Sequence, residues 1–189
     1  MTLCLESVTD GVAVVLREEN IGRMQPREIE LDPVDFITVG TIGPKGRRVF
    51  HLQAGKGRQL VTVIIEKQQA QALSEAVGEM LDDLSNKYQV APIAEVDLSQ
   101  WDMSLRDPVQ PLFRVGQMGL GYDAERDLVV LVAQELVVED EQLEVPDPRV
   151  IRLWATREQV RALAEHARNV VKQGRADPRT NGHLIYYWT

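Results

Sequence analysis

The chain contains two similar stretches, and this internal repeat restricts its fold more than any other feature of the sequence. The segment ITVGTIG at residues 37–43 matches FRVGQMG at residues 113–119 position by position. Residues 60–73 align in the same way with residues 150–163, with apolar, turn and charged positions in step. The repeat predicts a tandem duplication of one structural unit.

The first unit is predicted to contain three strands and a helix. Glycine-containing turns at residues 43–46 and 54–58 separate strands at residues 37–42, 49–53 and 60–65, and turns this short imply antiparallel pairing. After Glu66 the apolar residues recur at steps of three and four, which places them on one face of a helix. These apolar positions are Ala70, Leu73, Val77, Met80 and Leu84.

The second unit repeats this order. Its strands are predicted at residues 113–118, 128–133 and 151–155, and Thr156 with Gln159 has the spacing of a capping box at the start of a helix. The stripe that this helix should bury consists of Val160, Leu163, Ala167 and Val170. The predicted fold class is therefore α+β, with two ββ(β)α units. Their antiparallel strands form one sheet or two apposed sheets, and both amphipathic helices pack on one face.

The remaining segments are placed around these units. We predict a first repeat at residues 24–86, a proline-containing connection at 87–112, and a second repeat at 113–174 with an acidic insertion at 135–149. Residues 175–189 form an aromatic tail that is expected to fold back on the core. Residues 1–23 are either a poorly ordered extension or contribute an extra edge strand from residues 12–16.

Composition excludes several classes of function. The net charge of -8 and the pI of about 5.0 oppose binding to nucleic acid or to an anionic membrane. The single cysteine, Cys4, allows no intrachain disulfide and no cysteine metal cluster, which fits a reducing cytoplasm. The N-terminal apolar run is too short to span a bilayer, and no targeting segment is recognisable. A cytoplasmic location is therefore expected.

No motif for catalysis, a cofactor or a metal stands out. The glycines around Lys56 do not fit a phosphate loop, and those at 40–43 precede a strand, so they are expected to serve a bulge or turn. His51, His166 and His183 are widely separated and are interpreted as hydrogen-bonded or solvent-facing histidines. The sequence predicts no cofactor and no metal site. It leaves catalysis open while favouring a protein that is not an enzyme.

One charge pattern is unusual. Residues 36–65 contain no acidic side chain, and their cations lie on two consecutive hairpin turns: Lys45, Arg47, Arg48, Lys56 and Arg58. Glycine-flanked turns expose amide groups, so these cations are candidates for an anion-binding site. The alternative is a solvated basic end that pairs with the acidic insertion, within the molecule or across a dimer.

The chain resembles an uncharacterised bacterial family, domain-of-unknown-function family three thousand and ninety. The resemblance rests on GTIGPKGRRVFHLQA at residues 40–54, IEKQQ at 65–69, FRVG at 113–116 and the second helix, and it covers residues 28–182. Typical members carry a CxxC ribbon before a P-R-x-N-G stretch, which implies zinc in those relatives. This chain keeps PRTNG at residues 178–182 but has no cysteine there, so zinc is not carried over.

Two functional hypotheses remain. The first is a non-catalytic interaction or regulatory module that binds an unknown protein partner or a second copy of itself. The second is a protein that binds or processes a phosphorylated small molecule at the basic turns of the first repeat.

Overall fold

A computed structural model describes residues 27–44, 46–87, 91–93, 96–137 and 147–173. Within these ranges the chain forms seven strands, two helices and a single 3₁₀ turn at Leu98–Gln100. The strands and helices are β1 (Glu28–Leu31), β2 (Phe36–Ile42), β3 (Val49–Lys56), β4 (Gln59–Ile65), α1 (Lys67–Lys87), β5 (Val115–Asp123), β6 (Leu128–Glu135), β7 (Val150–Thr156) and α2 (Arg157–Gln173).

The strands form two sheets, which confirms the predicted α+β class. One sheet has the order β1-β7-β6-β5 and the other has the order β2-β3-β4. The helices pack against each other, α2 also contacts β2, β6 and β7, and α1 contacts β5. Three antiparallel strands followed by a helix occur twice in the chain order, as the repeat predicts. The duplication itself stays a prediction.

The predicted apolar stripes are the buried faces of the helices. In α1 the buried residues include Ala70, Leu73, Val77 and Leu84, and Met80 packs against them at the edge of the core. In α2 all four predicted positions are buried. The capping box is present, because the Gln159 side chain accepts from the Thr156 amide at 2.8 Å and the Thr156 hydroxyl accepts from the Gln159 amide at 3.2 Å.

Strand β1 was not predicted, and it makes the larger sheet mixed rather than antiparallel. It pairs in parallel with β7, from Glu28 opposite Val150 to Leu31 opposite Leu153. Its four residues are too few to show a period, and its partner lies more than a hundred positions along the chain. The strand proposed at residues 12–16 lies outside the described residues.

The two sheets are connected by chain segments that cross between them in both directions. After β1 the chain leaves the larger sheet, where the Val34 amide bonds the Trp154 carbonyl at 2.8 Å, and enters the smaller sheet as β2. Before β5 the chain runs beside β4, where the Leu112 amide bonds the Thr62 carbonyl at 2.8 Å, and then enters the larger sheet. The start of each unit therefore lies against the last strand of the other unit. Strand β1 pairs with β7, and residues 112–114 run beside β4.

Two glutamines, one at the start of each helix, hold these crossing segments. Gln69 accepts from the Glu66 amide at 2.8 Å and donates to the Val115 carbonyl at 3.1 Å. Gln159 accepts from the Thr156 amide and donates to the Val34 carbonyl at 3.1 Å. In each unit, one glutamine side chain thus bonds a backbone amide at the start of its helix and a backbone carbonyl at the start of the other unit.

Candidate interaction surface

The described cations of the two basic turns lie at opposite ends of strand β3. Ile42 pairs with Val49 beside the first turn, whereas Lys56 pairs with Gln59 beside the second. At about 3.3 Å per residue, the eight-residue strand separates the turns by roughly 23 Å. The structure therefore does not bring Arg47 and Arg48 together with Lys56 and Arg58, and anion binding at these residues stays a prediction.

The second turn has carboxylates beside it. The Lys56 ammonium bonds the Asp32 carbonyl, and the Gly57 amide donates to the Asp35 carboxylate at 2.6 Å. Arg126 donates to both carboxylate oxygens of Asp32, and this hydrogen bonding holds the pKa of Asp32 below its ordinary value. The carboxylates of Asp32 and Asp35 make this turn a poor receptor for an anion, although neither Lys56 nor Arg58 takes part in an ion pair among the described residues.

Among the described residues, no carboxylate bonds the first turn. Gly43 and Gly46 adopt φ of 112° and 87°, and the Arg47 amide bonds the Pro44 carbonyl at 3.0 Å, so the turn is tight. In the part of the chain that the structure describes, neither Arg47 nor Arg48 takes part in an ion pair. Lys45 lies outside the described residues.

Two large aliphatic side chains are exposed beside this turn. Ile42 and Val49 are cross-strand neighbours with 47% and 39% of their surface exposed, and among the described residues only Leu136 is a comparably exposed large apolar side chain. Their side chains form an apolar patch next to two guanidinium groups that have no ion-pair partner among the described residues. We call Ile42, Arg47, Arg48 and Val49 the hairpin tip.

A cavity of about 440 Å³ opens next to the hairpin tip. It is lined by residues 40–42 of β2, residues 103–105 of the connection and His166 of α2. Burial lowers the pKa of His166, although a hydrogen bond to the Val39 backbone opposes that shift. His166 is therefore mainly neutral at pH 7, so among the described residues the positive charge at this site comes from the arginines.

The connection between the two units covers the outer face of the smaller sheet, which sequence analysis did not anticipate. We call residues 103–106 the strap. The Thr38 hydroxyl donates to the Met103 carbonyl at 2.6 Å, and the Gln53 side chain bonds both the amide and the carbonyl of Arg106, at 2.7 and 2.9 Å. Thr38 and Gln53 on this face are therefore buried and paired with backbone.

Gly40 accommodates the strap for a steric reason. A Cβ atom at this position would lie 2.5 Å from Cγ of Leu105, so only glycine leaves space for that side chain. The expectation that the glycines at 40–43 serve a turn holds for Gly43, whereas Gly40 lies within strand β2.

His51 differs from its predicted environment, because it is neither solvent-facing nor fully hydrogen-bonded. It is 5% exposed, and its Nδ1 atom has no hydrogen-bond partner in the described part of the chain. Burial lowers the pKa of the imidazole, so His51 is mainly neutral at pH 7. His183 lies outside the described residues.

The described ends of the acidic insertion make local ion pairs. Glu135 accepts from Nε of Arg149 at 2.8 Å, and Asp147 pairs with Arg27 at 3.0 Å. Residues 138–146, which carry most of its acidic side chains, lie outside the described residues. Pairing between the insertion and the basic turns stays a prediction.

Two further properties concern metals and membranes. Within the described ranges, no group of three histidine, cysteine, aspartate or glutamate residues is arranged to hold a metal ion. Neither described helix is long and apolar enough to cross a membrane.

Comparison with known protein families gives one match. Residues 29–181 match the model of DUF3090, described as a protein of unknown function. The chain belongs to the DUF3090 family. The match includes both sheets, both helices and the strap, so the fold described above is that of the family region. No curated protein and no solved structure matches the chain.

Proposed function

We propose that this DUF3090 chain is a non-catalytic interaction module whose hairpin tip binds an acidic segment of a partner protein. The observation that carries the proposal is the exposed Ile42–Val49 pair beside two arginines that have no ion-pair partner among the described residues. Apolar patches next to arginine are typical of protein interfaces, where arginine is enriched.

The charge of the tip indicates the chemistry of the partner. The chain has a net charge of -8, yet residues 36–65 contain no carboxylate. A local positive surface attracts acidic groups and repels basic ones, so on an otherwise acidic protein it favours acidic partners at this place. The neighbouring cavity of about 440 Å³ is large enough for an apolar side chain of the partner.

The test compares two charge reversals on the same sheet. Full-length protein is used to capture proteins from a lysate of the native host, with Arg47→Glu/Arg48→Glu as the test variant. Arg58→Glu is the matched control, because Arg58 is an exposed arginine in the turn at the other end of β3. Partners should be lost with the double variant and in high salt, and kept with the control.

A photo-crosslinking residue locates the contact. Placed at Ile42 it should label the captured protein, and placed at Arg58 it should not. Equal capture by both charge-reversal variants, or labelling only from position 58, would rule out the hairpin tip as the binding surface.

A second candidate is the binding of a phosphorylated small molecule at the first turn. The specific observation in its favour is that Gly43 and Gly46 have positive φ beside Arg47 and Arg48, next to an open cavity. Turns of this kind present backbone amides to anions, and arginine binds phosphate in a bidentate manner.

A thermal-shift screen with nucleotides and phosphorylated metabolites tests this candidate. A ligand should raise the melting temperature of the wild-type protein and of Arg58→Ala, but not of Arg48→Ala. A shift that survives Arg48→Ala, or no shift with any compound, counts against it.

A further inference from the structure

The two sheets have four edges, and three of them are protected in the structure. Strand β1 has only four residues, two of them glutamates, and is followed by Asp32-Pro33. Helix α2 packs along β2, and residues 112–114 run beside β4. Short acidic strands, covering helices and added backbone are the usual means of blocking edge-to-edge pairing.

The fourth edge, strand β5, is held at its start by Gln69 of α1, but among the described residues none of these protections lies along the rest of the strand. It is nine residues long, VGQMGLGYD, and no other strand of the described residues lies along its outer side. It contains no proline and no lysine, and its one charged residue, Asp123, is at its end. A bulge between Val115 and Gln117 interrupts the ladder, so the regular part of the edge runs from Gln117 to Asp123.

An apolar cleft lies between this edge and helix α1. It has a volume of about 310 Å³, and its walls include Ala72 and Ala76 of the helix and Met118 and Leu120 of the strand, with Leu131 of β6 among its lining residues. The alanine side chains are short and exposed, so they leave space above the half-buried Met118 and Leu120. A strand added to β5 would direct every second side chain into this cleft.

We propose that β5 pairs antiparallel with β5 of a second copy of this chain, about a two-fold axis at Leu120. The axis lies at Leu120 because this residue is the midpoint of the regular stretch, so self-pairing uses every residue of the available edge. The two four-stranded sheets then form one continuous eight-stranded sheet. A contact of this type is closed and symmetric, as in most homodimers.

This register is compatible with the charge and shape of the strand. Gln117 of one copy lies opposite Asp123 of the other, so the carboxylate meets a neutral amide and no like charges face each other. A two-fold axis perpendicular to the sheet keeps the faces of both strands aligned. Met118 and Leu120 of both copies therefore form one apolar strip beside the two clefts.

Sedimentation velocity and hydrogen exchange of the full-length protein test the proposal. We expect a monomer–dimer equilibrium that shifts with protein concentration. As the dimer fraction rises with protein concentration, amides of residues 117–123 should gain protection from hydrogen exchange. Amides of the other edge strand, Glu28–Leu31, should not.

Cysteine cross-linking tests the register. In a Cys4→Ser background, Leu120→Cys places the two sulfurs opposite each other at the axis, and oxidation should give a disulfide-linked dimer. Gln117→Cys is the control in the same strand, because its two copies would be about 20 Å apart, beyond the reach of a disulfide.

A protein that stays monomeric at all concentrations overturns the proposal. So does a dimer in which β5 amides exchange as in the monomer, or in which position 117 cross-links as well as position 120. The proposal is independent of the hairpin tip, because Arg47→Glu/Arg48→Glu should leave the dimer intact.

Discussion

Replacing Gln53 should detach the strap from the smaller sheet. Gln53 is fully buried in the middle of β3, and its side chain accepts from the Arg106 amide at 2.7 Å. Its amide group donates to the Arg106 carbonyl and to the Thr62 hydroxyl, both at 2.9 Å. Gln53→Leu preserves most of the volume and removes all three hydrogen bonds.

The expected loss follows from these contacts. Each hydrogen bond contributes about 1 kcal/mol net, which gives about 3 kcal/mol for the three bonds. Residue Arg106 is exposed, so its backbone can bond water once the strap is released. We therefore expect Gln53→Leu to lower the free energy of unfolding by about 2 to 3 kcal/mol.

Urea unfolding followed by circular dichroism measures this loss. Gln71→Leu is the control, because Gln71 is exposed on α1 and its side chain bonds only Glu75 among the described residues, and the change should alter stability by less than about 0.5 kcal/mol. The double variant Gln53→Leu/Thr62→Val should lose less stability than the sum of the losses in the two single variants. Both changes remove the one hydrogen bond between Gln53 and Thr62.

Hydrogen exchange provides the second measurement. The Arg106 amide should lose its protection in Gln53→Leu and keep it in Gln71→Leu. A loss of stability equal to that of the control, or an Arg106 amide that stays protected, would show that Gln53 does not hold the strap.

Three further changes test other parts of the fold. Gly40→Ala should destabilise the protein by about 1 to 3 kcal/mol because its Cβ overlaps Leu105, and adding Leu105→Ala should recover part of that loss in the same urea assay. Gln159→Leu removes the bonds to the Thr156 amide and the Val34 carbonyl, and thermal unfolding should show a loss of about 1 to 2 kcal/mol. Burial lowers the pKa of both His51 and His166 in the folded chain, so the unfolded chain binds more protons below about pH 6.5. The free energy of unfolding should therefore fall as the pH drops from about 7 to 5, and His166→Gln should make this dependence shallower.

The helices and most strands could be predicted because their signals are local. A stripe at steps of three and four identified both buried helix faces, and the spacing of three residues between Thr156 and Gln159 identified the capping box. Strand β1 and the pairing of residues 112–114 with β4 were missed, since both depend on partners far away in the sequence. No local period indicates such pairing.

The arrangement of the candidate site was predicted less well than the helices and strands. The separation of its two basic turns nevertheless follows from the predicted strand order. Antiparallel pairing of three consecutive strands places their two turns at opposite ends of the middle strand. The basic turns could therefore have been separated without a structure. The roles of Gly40 and Gln53 could not, because both depend on the path of the strap across the outer face of the sheet.

The pairing of β1 with β7, the last strand of the other unit, has a consequence for synthesis of the chain on the ribosome. Strand β1 leaves the ribosome before any other described element, yet its partner β7 lies at residues 150–156, close to the last described helix. The N-terminal unit cannot bury Leu31 in its native environment while the ribosome is still making the second unit. We expect the chain to complete its fold only after β7 has left the ribosome, with the slow kinetics of a high contact order.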